Sequence, residues 1–213
     1  MTKADLRKYY LNERLSLSDD AFAQYNFDIC ENFFEELDLQ NIKVLHSFIP
    51  MENTREPNTR MIIYKATERY PSLKISIPKI NVKSVDIENY YYEGPEQLKV
   101  NAWGIPEPQY GVPTKTEEID MVLVPMLIAD QNGHRVGYGK GFYDKFLATC
   151  KPSCIPVGLC FYEPVRSIDD INAMDMPLKY CITPAKVHAF WLDKTTIPRV
   201  LAGLSNERTP VPK

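Results

Sequence analysis

A single-domain, three-layer α/β sandwich with a mainly parallel central sheet is the fold this sequence predicts. Three observations carry the prediction. Helical and strand-like segments alternate along the chain, the order that builds parallel sheets. The apolar runs KVLHSFI at 43–49, MVLVPMLIA at 121–129 and IPVGLCF at 155–161 read as buried strands. The 213 residues suffice for one α/β domain with a full core.

Residues 2–15 read as a helix, with Leu6, Tyr9 or Tyr10, and Leu11 facing inward. Lys3 and Arg7 stand four apart and so share a face, which by itself describes a solvated charged surface. A polar break at 16–20 follows, and Ser18 is placed to cap a second helix over 19–37. Phe22, Ile29, Phe33 and Leu37 make its core stripe. The strand at 43–49 contains His46, read as a core histidine. The loop at 50–58 leaves that strand's carboxyl end, where open α/β sheets place ligands. A helix over 59–70 precedes two strand-like runs, 73–80 and 84–92. Residues 93–118 hold Pro95, Pro106, Pro108 and Pro113 and predict a long crossing loop without regular structure. Trp103 in that loop either anchors it to the core or stacks on a flat ligand. The run at 120–128 is the central strand, ended or bent at Pro125. Phe142, Phe146, Leu147 and Cys150 then share one helical face. After the strand at 155–161, Asp169, Asp170 and Asp175 fall in a loop. A short strand at about 181–182 and a continuation at 187–192 complete a domain over 1–204, leaving 205–213 as a frayed tail.

Composition narrows the function classes. A net charge of -3, with 44% apolar and 25% charged residues, argues against a general nucleic-acid binder. No apolar run approaches the roughly 20 residues of a membrane span. The charged amino terminus lacks the apolar core of a signal peptide, so a cytoplasmic setting is expected. The five cysteines are odd in number and form no CxxC pair, which reads as reduced core thiols.

The most informative stretch is GHRVGYGKGFYD at 133–144. Glycines at 133, 137, 139 and 141 allow the backbone to approach a ligand closely. Such a cluster between strand and helix also serves as a plain tight turn. Arg135 and Lys140 inside it, together with a helix start behind it, favour a phosphate site. It is not a Walker loop, since His134 and Gly141 occupy places that pattern reserves for Gly and for Ser or Thr. Nor is it a Rossmann loop, since Phe142 or Asp144 falls where the third glycine belongs.

The stretch resembles the GxRxGxGxGxYD signature of the 5-formyltetrahydrofolate cyclo-ligase (methenyltetrahydrofolate synthetase) family, unbroken from Gly133 to Asp144. A KxxLR pattern at Lys3, Leu6 and Arg7 extends the resemblance, as do Met51 with Glu56, the WxIPxP run from Trp103 to Pro108, and Asp175. It implies a fold like the sugar-phosphate isomerase and CoA-transferase-like group. It implies ATP- and Mg²⁺-dependent closure of 5-formyltetrahydrofolate, in mono- or polyglutamylated form, to 5,10-methenyltetrahydrofolate, releasing ADP and phosphate. By that resemblance Lys3, Arg7, Arg135, Gly137, Tyr138, Gly139, Lys140, Gly141, Phe142 and Tyr143 meet ATP. Met51, Glu56 and residues 138–142 meet the folate, and Trp103 is a candidate to stack on its ring. Asp144 and Asp175 hold Mg²⁺, and Lys140, Arg135 and Tyr143 are the candidate catalytic residues. Lys179 and Thr183-Pro184 depart from the family pattern, which often has an Asp and a Thr-Glu there. A monomer with no nucleic-acid or membrane partner is expected. Two other readings use the same loop: a sugar-phosphate isomerase or CoA-transferase-like enzyme, and a folate- or nucleotide-binding protein without turnover.

Overall fold

The Thr2 hydroxyl accepts from the Asp5 amide while the Asp5 carboxylate accepts from the Thr2 amide, a capping box that starts α1 (Lys3–Leu15). Ser18 caps α2 (Asp19–Glu36) through the Ala21 amide, as its position predicts. Then come β1 (Val44–His46), α3 (Thr59–Arg69), β2 (Lys74–Asn81) and β3 (Asp86–Tyr91). A hairpin of β4 (Leu98–Val100) and β5 (Pro106–Pro108) precedes β6 (Met121–Val124), and β7 (Ile128–Ala129) pairs with β8 (Arg135–Val136). The chain continues through α4 (Phe142–Thr149), β9 (Ile155–Leu159), β10 (Tyr180–Ile182) and β11 (Val187–Ala189). The computed structural model describes residues 1–190 other than Val82, Lys83 and Val85. The expected tail at 205–213 and the last two positions of the 187–192 run lie outside the described residues.

Seven strands form the main sheet in the order β11-β10-β9-β6-β1-β2-β3. The five inner strands are parallel, and the edge strands β3 and β11 are antiparallel to their neighbours. Register places Leu45 beside both Ile75 and Met121, and Met121 beside Ile155. The sheet is covered on both faces, which makes the three layers. Ile29 and Phe33 of α2 and Ile62 and Ala66 of α3 pack on Leu45, Ile75, Ile77 and Leu123. Leu6 of α1 and Phe146 and Leu147 of α4 pack on Val44, Val122 and Val124. Burial on both faces is why the inner strands read as apolar runs rather than as alternating ones.

The central strand ends at Pro125, as the sequence suggests, and Ile128–Ala129 turns away to pair with β8. Proline has no amide to donate to the ladder, so the sheet ends there. The 93–118 crossing is not structureless. It folds into the β4–β5 hairpin, and the buried Gln97 side chain holds it by donating to the Tyr91 and Tyr110 carbonyls. Trp103 does not anchor that crossing: it is 51% exposed in the turn between β4 and β5, where Asn101 Oδ1 accepts from the Trp103 and Ile105 amides. Tyr9, offered with Tyr10 as an inward residue, is exposed, and Tyr10 takes the inner place.

Candidate active site

The carboxyl ends of β1 and β6 open onto the loops that carry the candidate residues, the position at which parallel sheets bind ligands. The loop after β1 presents Glu56. Its lead-in residue, Arg55, adopts the left-handed conformation with φ 48, the one non-glycine residue to do so among those described. The Arg55 guanidinium lies over the Phe22 ring and pairs with Asp19 at 3.0 Å, contacts that hold the strained turn. Glu56 is only 4% exposed. Its Oε2 accepts from the Met51 amide at 2.7 Å and its Oε1 from the Tyr138 hydroxyl at 2.6 Å. Burial pushes the Glu56 carboxyl above its usual range, and those two donors only partly oppose it.

Tyr138 belongs to the glycine loop, so Glu56 is joined to that loop by a side-chain hydrogen bond. A third residue completes the chain. Arg14 Nη2 donates to the Tyr138 hydroxyl at 2.6 Å and Nη1 to the Met126 carbonyl at 3.2 Å. Arg14 is buried, and sequence reasoning did not select it. The signal was present: Lys3, Arg7 and Arg14 follow a 3.6-residue stripe on α1.

The same stripe brings Lys3 and Arg7 to the site. Arg7 Nε donates to the Gly137 carbonyl at 2.8 Å. Its guanidinium lies so close to Gly139, where φ is +85, that a Cβ there would stand 3.1 Å from Arg7 Cζ. Lys3 Nζ pairs with Asp175 at 2.5 Å, and the Lys3 amide donates to Asp170 at 2.6 Å. Beyond Gly139, Lys140 is exposed and makes no hydrogen bond or ion pair among the described residues. Gly141, also left-handed, caps α4 without a side-chain bond, so the amides of Phe142 and the next residues begin the helix uncapped.

The loop is less uniform than its sequence suggests. Gly133 belongs to the β7–β8 turn, where its φ is +85 and an added Cβ would stand 2.8 Å from the Leu178 carbonyl and 3.0 Å from the Phe190 ring. It is a packing glycine, outside the cradle formed by Gly137, Gly139 and Gly141. Arg135 points inward rather than standing as a free fork. Its Nη2 pairs with Asp144 at 2.8 Å and its Nη1 donates to the Met176 carbonyl. Burial lowers the Arg135 guanidinium, and Asp144 opposes that shift. Tyr143 sets its ring against Phe146 and His46, and its hydroxyl is buried with no partner. Burial, then the Glu56 charge, drives that phenol far above its ordinary range. Met51 and Phe142 are half-buried near these groups. The Trp103 turn leans on the same region: a Cβ on Gly104 would stand 3.3 Å from Asn53, two residues from Met51.

Asp144 and Asp175 are brought together around Arg135, which feels both charges. Asp144 Oδ1 accepts from Arg135 and from the Met176 amide; Asp175 Oδ2 accepts from Lys3 and from the Asn172 amide. The second oxygen of each carboxylate accepts no hydrogen bond among the described residues. With no group of three or more candidate ligands among the described residues, these two carboxylates could hold Mg²⁺ only together with waters and substrate oxygens. Lys179 and Cys154 line one cavity, and the charge of Cys154 acts on the lysine. Two sizeable cavities, about 820 Å³ beside α3 and about 900 Å³ beside the end of α4, contain none of Gly137–Gly141. Convergent polar groups, not cavity size, mark the site.

Comparison with known proteins shows the family and the fold. The model of the 5-formyltetrahydrofolate cyclo-ligase family matches residues 1–184. A Schizosaccharomyces pombe protein described as a probable 5-formyltetrahydrofolate cyclo-ligase is 25% identical over 202 residues, covering 88% of this chain and 97% of that one. The NMR structure of Aquifex aeolicus 5,10-methenyltetrahydrofolate synthetase superposes with a TM-score of 0.76 at 26% identity, covering 93% of this chain and 97% of that one. A Mycoplasma pneumoniae 5,10-methenyltetrahydrofolate synthetase, at 19% identity and a TM-score of 0.67, covers 85% of this chain and 98% of its own and shares the fold. With its seven-stranded sheet, its glycine loop and a match that spans nearly all of the described residues, the chain belongs to the 5-formyltetrahydrofolate cyclo-ligase family.

Proposed function

We propose that this family member closes 5-formyltetrahydrofolate to 5,10-methenyltetrahydrofolate, coupled to conversion of ATP to ADP and phosphate. The observation that carries the reading is Tyr138. Its backbone sits between the cradle glycines while its hydroxyl donates to the buried Glu56. A phosphate-binding turn and a carboxylate suited to a pterin's N–H donors are thereby fixed to each other.

The chemistry follows from the substrate. A formyl amide carbon is a poor electrophile and its oxygen a poor leaving group. Transfer of the γ-phosphoryl group to the formyl oxygen corrects both. The side-arm nitrogen then adds to the carbon, loses its proton, and phosphate departs with the former formyl oxygen. Such a transfer needs positioning and charge neutralisation more than a protein nucleophile. Lys140 is the mobile cation that meets charge developing on the transferred group. Arg7 lies against Gly139, at the edge of the cradle. Lys3 exchanges Asp175 for a phosphate oxygen, an exchange between two anionic partners. Asp144 and Asp175 would hold Mg²⁺, which supplies charge neutralisation at the phosphates when bound. Arg135 orients Asp144, and Tyr143 packs beneath the loop against His46 and Phe146.

The test is direct. Protein, 5-formyltetrahydrofolate, ATP and Mg²⁺ together should produce the methenyl absorbance band with one ADP per product. Omitting ATP should abolish it. Absence of the band with all components present would remove the proposal in favour of binding without turnover.

A further inference from the structure

Away from the site, α4 ends in a feature the proposed reaction does not use. Cys150 is the carboxyl-terminal cap of α4 and Cys154 immediately precedes β9. The Cys150 and Cys154 amides bond back to Leu147 and Lys151, so the connection is tightly turned. Both residues line the cavity of about 900 Å³ beside α4, together with His134, Lys151 and Lys179. All five cysteines are free, and Cys30, Cys160 and Cys181 are buried in the two cores. Cys150 and Cys154 are the two that line this cavity, Cys154 from the edge of the second core with Cys150 packed against it.

We propose that Cys150 and Cys154 form a peroxide-responsive dithiol, with Cys154 attacking the peroxide and Cys150 resolving the product. The Cys154 sulfur takes the terminal peroxide oxygen; the O–O bond breaks and alkoxide or hydroxide leaves. Cys150 then attacks the resulting sulfenic acid, an S–S bond forms and water departs. Overall two thiols lose two hydrogens and the peroxide is reduced to alcohol, or water, plus water.

Three observations assign the roles. Cys154 shares its cavity with Lys179 and Lys151, whose charges act on its thiol, although Lys151 also pairs with Asp120 at 2.5 Å. The neighbouring Cys150 holds the Cys154 thiol below its usual range, with the lysines adding, and the Cys150 thiol, which donates to the Phe146 carbonyl at 3.5 Å, is held above. Cys150 is the more exposed of the two, as suits a resolving thiol. Cys154 is only 5% exposed, which restricts the oxidant to a small one such as hydrogen peroxide or a short alkyl hydroperoxide.

The whole protein should be treated with limiting hydrogen peroxide, denatured, alkylated and mapped by mass spectrometry. The peptide holding Cys150, Cys154 and Cys160 should lose two hydrogens and carry a single alkyl group, on Cys160. Cys150→Ser should leave a dimedone-reactive sulfenic acid at Cys154, and Cys154→Ser should give neither product. Lys179→Gln should slow oxidation of Cys154 by roughly 3- to 10-fold, the scale of one neighbouring charge. Phenylarsine oxide needs no variant: one equivalent should protect both thiols of the native protein from alkylation. Oxidation that begins at Cys30, Cys160 or Cys181, a sulfenic acid on Cys150 in the Cys154→Ser protein, or failure of the arsenical to protect both thiols would overturn the proposal.

Discussion

The Glu56 end and the glycine-loop end of the site treat polar groups in opposite ways. Around Glu56 every interaction is made in advance: an amide, a phenol and, behind the phenol, a buried arginine. Around Lys140 and Gly141 almost nothing is satisfied, since the lysine is exposed and the helix start is uncapped. The difference matches two kinds of ligand. A flat heterocycle is recognised by a few directed bonds, which work best when preorganised. A polyphosphate brings its own charge and can recruit loose cations and spare amides.

Substitutions test this contrast, beginning with the buried end. His46 sits beneath Tyr143, fully buried, with neither ring nitrogen in a hydrogen bond of normal geometry. Burial drives its imidazole down to about 3 from 6.5, opposed weakly by Asn89. On acidification the unfolded chain takes a proton through pH 6.5 and the folded one does not, so stability falls from there and the loss is complete near pH 3. The size is on the order of 5 kcal/mol. Urea unfolding should show this slope, and His46→Leu should flatten it. Lys140→Ala should lower kcat/KM by at least about 100-fold, the scale for one charge-stabilising donor. Its melting temperature should stay unchanged, because the side chain is exposed and unpaired; a large fall in Tm would break the contrast.

Glu56→Ala should do the reverse in kind, with about 2 kcal/mol of stability lost as Tyr138 and the Met51 amide lose their acceptor. The Glu56 carboxyl is raised in the fold, so it contributes instability that grows as pH rises from 4.5 through its folded pKa. Glu56→Gln should therefore gain on the parent protein over that rise. Smallest is Gly139→Ala, near 1 kcal/mol from the left-handed backbone. Its added contact with Arg7 should show as a few-fold higher KM for ATP with an unchanged KM for the folate.

Much of the fold was legible because burial on both faces writes itself as apolar runs, and because Ser18 announces a helix start. The β4–β5 hairpin was hidden because Pro106 and Pro108 carry no strand pattern and their order rests on Gln97. Within the site, the glycine motif stood out as a unit. Its internal division did not, since Gly133 is required by Leu178 and Phe190 and Arg135 is turned by Asp144, partners that only folding brings near. Arg14 was concealed for a similar reason. An arginine on an amphipathic helix has no meaning until Tyr138 arrives beside it.

Helix α1 has a consequence for how the protein is made. Its Arg14, Arg7 and Lys3 side chains bond partners 112, 130 and 172 residues downstream. On a ribosome, which delivers the chain amino end first, this helix waits undocked through nearly the whole of translation. Such distant closures also place its docking among the slower steps of folding. Arg14 and Arg7 gain their partners once the segments holding Met126 and Gly137 emerge, but Lys3 has nothing to hold until Asp175 does, and a translation arrest before that point would leave the site incomplete whatever the state of its sheet.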